Sequence, residues 1–185
     1  MKTKEITLTA VLIALLIVCS QIVIPIGPIP ITLQTLAVLM IGYFLSPKNA
    51  WLATSLYLIM GVAGLPILAG FSGGFHVLLT PAFGFVIGFI PASYVQAKYL
   101  DHHSNTQTKH LLISAILNTV FTYLIGLIYM AVILNIYLDS QMNVIQILMA
   151  GLIPFIPGDL IKIGVAVLLA KRILPVIDYR LTPSN

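Results

Sequence analysis

From Ile113 to Leu134 the chain is almost continuously apolar. About 20 such residues make a helix that crosses the hydrocarbon core of a bilayer. Comparable runs recur at approximately 5–24, 33–46, 49–64, 82–98, 110–134 and 157–173, some of them short or broken by Pro and Gly. A membrane β-barrel requires alternating segments of about ten residues, which the unbroken runs exclude. With 59% hydrophobic and 8% charged residues among 185, there is little material for a separate soluble domain. The expected fold class is therefore an all-α integral membrane protein with six transmembrane helices, forming a single transmembrane domain over 1–185.

Lys2 and Lys4 precede the first run, as in a signal peptide, but the run is long and no small-residue cleavage site follows it. It is expected to stay as the first helix. Lys and Arg accumulate on the cytoplasmic side of membrane proteins. With the N-terminus inside, Lys2, Lys4, Lys48, Lys98, Lys109, Lys171, Arg172 and Arg180 all fall in cytoplasmic segments or at their edges. The outer loops near 25–32, 65–81 and 135–156 contain no basic residue, so both termini are placed in the cytoplasm. This bias accounts for the net charge of +4 without a nucleic-acid partner. Cys19 is the single cysteine, so neither an internal disulfide nor a cysteine metal cluster can form. In 101-DHHSNTQTKH-110, His102 and His103 have only Asp101 and His110 as further ligands, and a solvated loop is favoured over a metal site.

Several classes of chemistry lack their residues. No G-x-x-x-x-G-K-S/T loop is present to cradle a nucleotide, and 70-GFSGGFHVLL-79 has no Lys after its glycines. H-E-x-x-H and an intramembrane carboxylate pair are also missing. The sequence points to a protein that is not an enzyme.

The informative segment is 155-FIPGDLIKIG-164. Lys162 is the one basic residue that no loop can claim, and Asp159 lies three positions before it. Each costs about 2.5–3.5 kcal/mol at a helix centre, so such residues mark a substrate path, a relay or a specific partner. Pro157 suits the first turn of a helix ending near Arg172, a length of about 24 Å that puts the pair close to the outer mouth. Residues at i and i+3 share a face, and Asp is favoured at a helix N-terminus. The competing reading is an internal ion pair that fixes helix packing. Residues 61–84, rich in Gly and Pro yet apolar, read as a lid over an external pocket, because irregular backbone at membrane depth must be buried or line a cavity. Polar residues within the spans, Gln34, Tyr43, Asn118 and Tyr123, read equally as ligand contacts or as interhelical glue. Ala10 and Ala14, one turn after Thr7, form a small-residue stripe that admits a neighbouring helix.

The motifs 29-IPITLQTLAVL-39, 64-GLPILAGFSGGF-75, 80-TPAFGFVIGF-89 and 154-PFIPGDLIK-162 occur in this order along nearly the whole chain. In these the chain resembles the BioY family, the biotin-specific substrate-binding S components of energy-coupling factor (ECF) transporters. P-G-D-L-I-K is the most specific of them; 80-TPAFGF-85 departs from the G-P-T-G-G-Y more usual in the family, which bears on the lid. The resemblance implies an ECF S-component fold with an outward-facing biotin site under the loop after the third helix. It also implies partnership with a transmembrane coupling subunit, contacted through Ala10 and Ala14, and with two ATPase subunits that use the ATP. The chain itself is expected to need no cofactor or metal and to lie in the bacterial cytoplasmic membrane. On this reading Asp159 accepts a ureido N–H and Lys162 donates to the ureido carbonyl, in an apolar pocket that includes Phe71. Ser72, His76, Gln34 or lid amides hold the carboxylate, with Lys162 swapping roles as the alternative, and Asn118 is a further contact.

Overall fold

The computed structural model describes residues 3–25, 29–103 and 107–176. Lys2, Asp178 and Arg180 lie outside the described residues, as do parts of the 25–32 and 101–110 loops. Helix α1 (Thr3–Gln21) leads into a small antiparallel pair, β1 (Val23–Ile24) and β2 (Ile31–Thr32), with Val23 opposite Thr32. Then follow α2 (Gln34–Phe44), α3 (Pro47–Val62), α4 (Phe83–His102), α5 (Thr108–Val132), α6 (Val144–Gly151) and α7 (Ile156–Ile173). Between α3 and α4 the Gly-rich segment makes only two 3-10 turns, Ala69–Phe71 and Phe75–Leu79.

Helix α2 is the centre of the molecule. It is apolar on every side, and nine of its eleven residues are buried. An all-round apolar helix requires partners all round, and α2 contacts α1, α3, α4, α5 and α7. At about 1.5 Å per residue it is too short to cross a bilayer alone. Ser46 and Pro47 turn the chain directly into α3, with proline in the first turn, where its missing N–H costs nothing.

Helices α4 and α5 interlock through glycines. A Cβ on Gly84 would meet the Tyr129 side chain, and one on Gly126 the Phe85 ring. At Gly88 it would lie 2.9 Å from the backbone oxygen of Thr122. Small residues at such crossings let helix backbones approach where hydrophobic driving force between helices is weak.

The outward faces are apolar. Along α5, Leu112, Ile116, Val120, Leu124, Ile128 and Val132 recur every fourth residue, and all are exposed. Soluble proteins do not present such stripes, whereas hydrocarbon covers them at no cost. Among the described residues, three helical stretches are long and apolar enough to cross a membrane: Thr3–Gln21, Thr108–Tyr137 and Val144–Ile173. The chain is an all-helical membrane protein apart from its two-residue strands.

The structure corrects one segment. The region 135–156, expected as an outer loop, contains α6 and a 3-10 turn at Ile153–Phe155 that runs into α7. The signal was an Asn three residues before a Gln: Asn143 Oδ1 accepts from the Gln146 backbone N–H, and the Gln146 side chain accepts from the Asn143 N–H, both at 2.9 Å.

Candidate ligand-binding site

Helices α2, α4, α5 and α7 and the segment after α3 line a small, partly open cavity of about 90 Å³. Its walls are largely apolar, with Phe83, Phe85, Val86, Phe89 and Phe155 among them. Leu68, Ala69, Ser72, Val77 and Thr80 of the Gly-rich segment cover it. That cover is tied down at several points. Ser20 donates to the Ile67 carbonyl at 2.6 Å, and the Phe71 N–H donates to Gln21 Oε1 at 2.7 Å. Gly70 and Phe71 both adopt left-handed conformations, φ +66° and +59°, which reverse the chain so that Leu68 N–H reaches Ser72 O.

Among the described residues, Asp159 and Lys162 are the charged side chains that line the cavity. The first turns of α7 direct both inward, while the intervening Leu160 and Ile161 face outward, 65% and 69% exposed. Lys162 Nζ lies 3.0 Å from Asp159 Oδ1 and donates to Thr35 Oγ1 at 2.9 Å. Thr35 Oγ1 in turn donates to Asp159 Oδ1 at 3.3 Å, and the Tyr123 hydroxyl donates to Asp159 Oδ2. The pair thus packs internally and lines the cavity, so the two roles do not exclude each other. Unused valences remain. An ammonium carries three donors and a carboxylate about four acceptor positions, leaving one donor on Lys162 and one acceptor on Asp159 Oδ2 beyond these bonds.

The other expected site residues divide. Gln34 and Ser72 line the cavity. Gln34 Nε2 donates to Tyr57 OH at 2.6 Å and Tyr57 OH to the Ile67 carbonyl at 3.1 Å, so this glutamine also ties the wall to the cover. Ser72 Oγ donates to the Ala69 carbonyl at 2.8 Å. Asn118 sits deeper, in a smaller chamber beneath Asp159 and Lys162, and its amide donates to Gln96 Oε1 at 2.7 Å. Phe71 and His76 do not line the cavity. Phe71 is 70% exposed because its left-handed backbone turns the ring outward, and His76 is exposed on a 3-10 turn whose Val77 takes the inner position. Ala10 and Ala14 are far from the cavity on the exposed face of α1.

Two threonines escaped the sequence reading. Thr35, a hydroxyl at the start of an otherwise apolar helix, joins both members of the pair. Thr122 Oγ1 lines the cavity and, among the described residues, is the buried side-chain oxygen without a hydrogen-bond partner. A buried unpaired hydroxyl costs about 1–3 kcal/mol, which makes it a ready partner for a ligand or water.

A family model described as the BioY family matches residues 1–179. The chain belongs to the BioY family. The probable biotin transporter BioY of Pyrococcus horikoshii is 33% identical over 173 residues, covering 94% of this chain and 98% of that protein. The biotin transporter BioY of Rhizobium etli is 31% identical over 196 residues, covering both chains in full. A crystal structure of the S-component for biotin from an ECF-type ABC transporter superposes with a TM-score of 0.83 at 28% identity, covering 94% of this chain and 92% of that one. The helical arrangement around α2 is therefore that of an ECF S component, and the motif Pro157-Gly158-Asp159 forms the first turn of α7, with Asp159 at the cavity wall.

Proposed function

We propose that this chain binds biotin in the cavity under the segment after α3 and delivers it across the membrane as the substrate-specific S component of an ECF transporter. The observation that carries the reading is the buried Asp159–Lys162 pair on the cavity wall of a BioY-family fold. Biotin's ureido ring is uncharged and presents N–H donors beside a carbonyl acceptor. Asp159 Oδ2 takes an N–H and the remaining donor of Lys162 takes the carbonyl. Charge-assisted hydrogen bonds are about twice as strong as neutral ones. An analogue lacking one of these groups leaves a buried charge short of a partner and is rejected strongly. The aromatic wall receives the apolar part of the ring system, and Ser72 or the amides of the cover meet the valerate carboxylate.

In this proposal the chain performs no chemistry on its ligand. Six spans carry it, with both termini in the cytoplasm of a bacterial cell, and two ATPase subunits supply the energy through a transmembrane coupling subunit. Ala10 and Ala14 suit contact with that subunit, since their side chains leave the α1 backbone open to a second helix. Equilibrium binding of labelled biotin to the purified protein tests the assignment, with thiamine, riboflavin and lipoate as competitors. Saturable binding displaced only by unlabelled biotin is expected; absence of saturable binding refutes it.

A further inference from the structure

A groove opens on the outer surface between the start of α3 and the middle of α4. Its walls come from Trp51 on α3 and from Ile90, Pro91 and Tyr94 on α4. Proline within a helix removes a backbone hydrogen bond, and Pro91, inside α4, lines this groove. Trp51 is 51% exposed, in a chain whose outer surface faces lipid.

Both walls grade in the same direction although the helices are antiparallel. Along α4 the order is Ile90, Pro91, Tyr94, then Lys98, whose ammonium lies 5.7 Å from the Tyr94 ring centroid. Along α3 it is Trp51, then Lys48 toward the helix end. Lys48 and Lys98 are exposed, and among the described residues no acidic side chain lines the groove. Apolar depth, an aromatic collar and a cationic rim are the complement of a phospholipid with its acyl chain down and an anionic head at the surface.

We infer that this groove is a docking site for a single anionic phospholipid, its acyl chain against Trp51, Ile90 and Pro91 and its phosphate between Lys48 and Lys98. The inference is independent of what the cavity binds. A protein helix in the same place has no need of a cationic rim, whereas each lysine near a surface favours an anionic lipid by roughly fivefold.

Trp51 is the only tryptophan in the chain, so its fluorescence reports on this groove alone. The full chain is reconstituted in phosphatidylcholine vesicles containing equal mole fractions of either brominated phosphatidylglycerol or brominated phosphatidylcholine, whose bromines quench on contact. Quenching is expected to reach half-maximum at a several-fold lower fraction of the anionic lipid. That preference should fall as salt is raised and disappear in Lys48→Gln/Lys98→Gln with its unfolding midpoint unchanged. Equal quenching by the two lipids, or a preference that persists in the double variant or in high salt, overturns the inference. So does loss of quenching by both lipids when a coupling subunit is co-reconstituted, which assigns the groove to a protein.

Discussion

Replacing Asp159 by asparagine separates two roles that the geometry superimposes. The carboxylate sits 3.0 Å from Lys162 Nζ, with side chains only 9% and 7% exposed for Lys162 and Asp159, so solvent screens the pair little. Breaking a buried pair by neutralising one partner costs about 3–5 kcal/mol, because the other charge stays buried. The substituted amide keeps one oxygen to accept from Lys162 and Thr35, which puts the expected loss toward the lower figure. Removing both charges together restores most of it, since a buried pair replaced by neutral side chains is often neutral in stability. Asp159→Asn should therefore lower the unfolding midpoint, and Asp159→Asn/Lys162→Met should recover it.

Affinity should not follow stability. If Asp159 accepts a ligand N–H, the lost hydrogen bond to a charged group is worth about 1.5–3 kcal/mol, or about 10- to 150-fold in Kd. The double variant lacks that bond and the Lys162 donor as well. Thermal unfolding by Trp51 fluorescence and equilibrium binding of labelled biotin, on the same purified samples, separate the two. A double variant that recovers stability and also binds like the wild type would reduce the pair to packing and refute its role in recognition.

Tyr123→Phe deletes the hydroxyl donor to Asp159 Oδ2; an unpaired carboxylate lone pair costs about 1–3 kcal/mol, so the unfolding midpoint in detergent should fall. Gly88→Ala places a Cβ 2.9 Å from Thr122 O and 3.1 Å from its Cα; overpacking against backbone should destabilise the protein by about 1–3 kcal/mol, read by unfolding in detergent. Phe71→Ala, at an exposed ring off the cavity, should leave Kd within about twofold, since surface substitutions away from special features change free energy by about 0.5 kcal/mol or less. Ala14→Trp, on the exposed face of α1, should spare biotin binding and abolish ATP-driven uptake in cells that contain a coupling module; uptake at the wild-type level would remove Ala14 from the interface.

The helices were legible wherever apolar runs were long. The run 110–134 became α5 over Thr108–Val132, and 157–173 lies within one residue of α7 over Ile156–Ile173. Run length says nothing about what surrounds a helix, however. The 33–46 run reads like any other span, yet its helix is eleven residues long and encased by protein, because an all-round apolar sequence suits hydrocarbon and protein interior equally. Helix α6 was missed for a different reason: eight residues are too few to register as a span, and only the Asn143–Gln146 capping box announces them. At the site, the charged pair was legible because charge in a span is costly enough to stand out. Thr35 and Thr122 were not, since a threonine in a membrane helix commonly satisfies itself on the preceding turn, as Thr54 does on the Ala50 carbonyl at 2.9 Å.

The aromatic residues of the Gly-rich segment show why a motif resemblance assigns a neighbourhood more readily than a side chain. Phe71 belongs to the segment that covers the cavity, but two successive left-handed residues turn its ring away, and Leu68, Ser72 and Val77 take the inner positions. In the proposed function the ureido ring meets the pair and its neighbours, and the cover meets only the carboxylate. Lys162 and Asp159 neutralise each other through a direct contact and a shared threonine. A cationic ligand group would meet Lys162, and an anionic one Asp159, at the same wall. A neutral group with donor and acceptor side by side can engage both without displacing either from Thr35 or Tyr123, and a cyclic urea has that pattern on one edge.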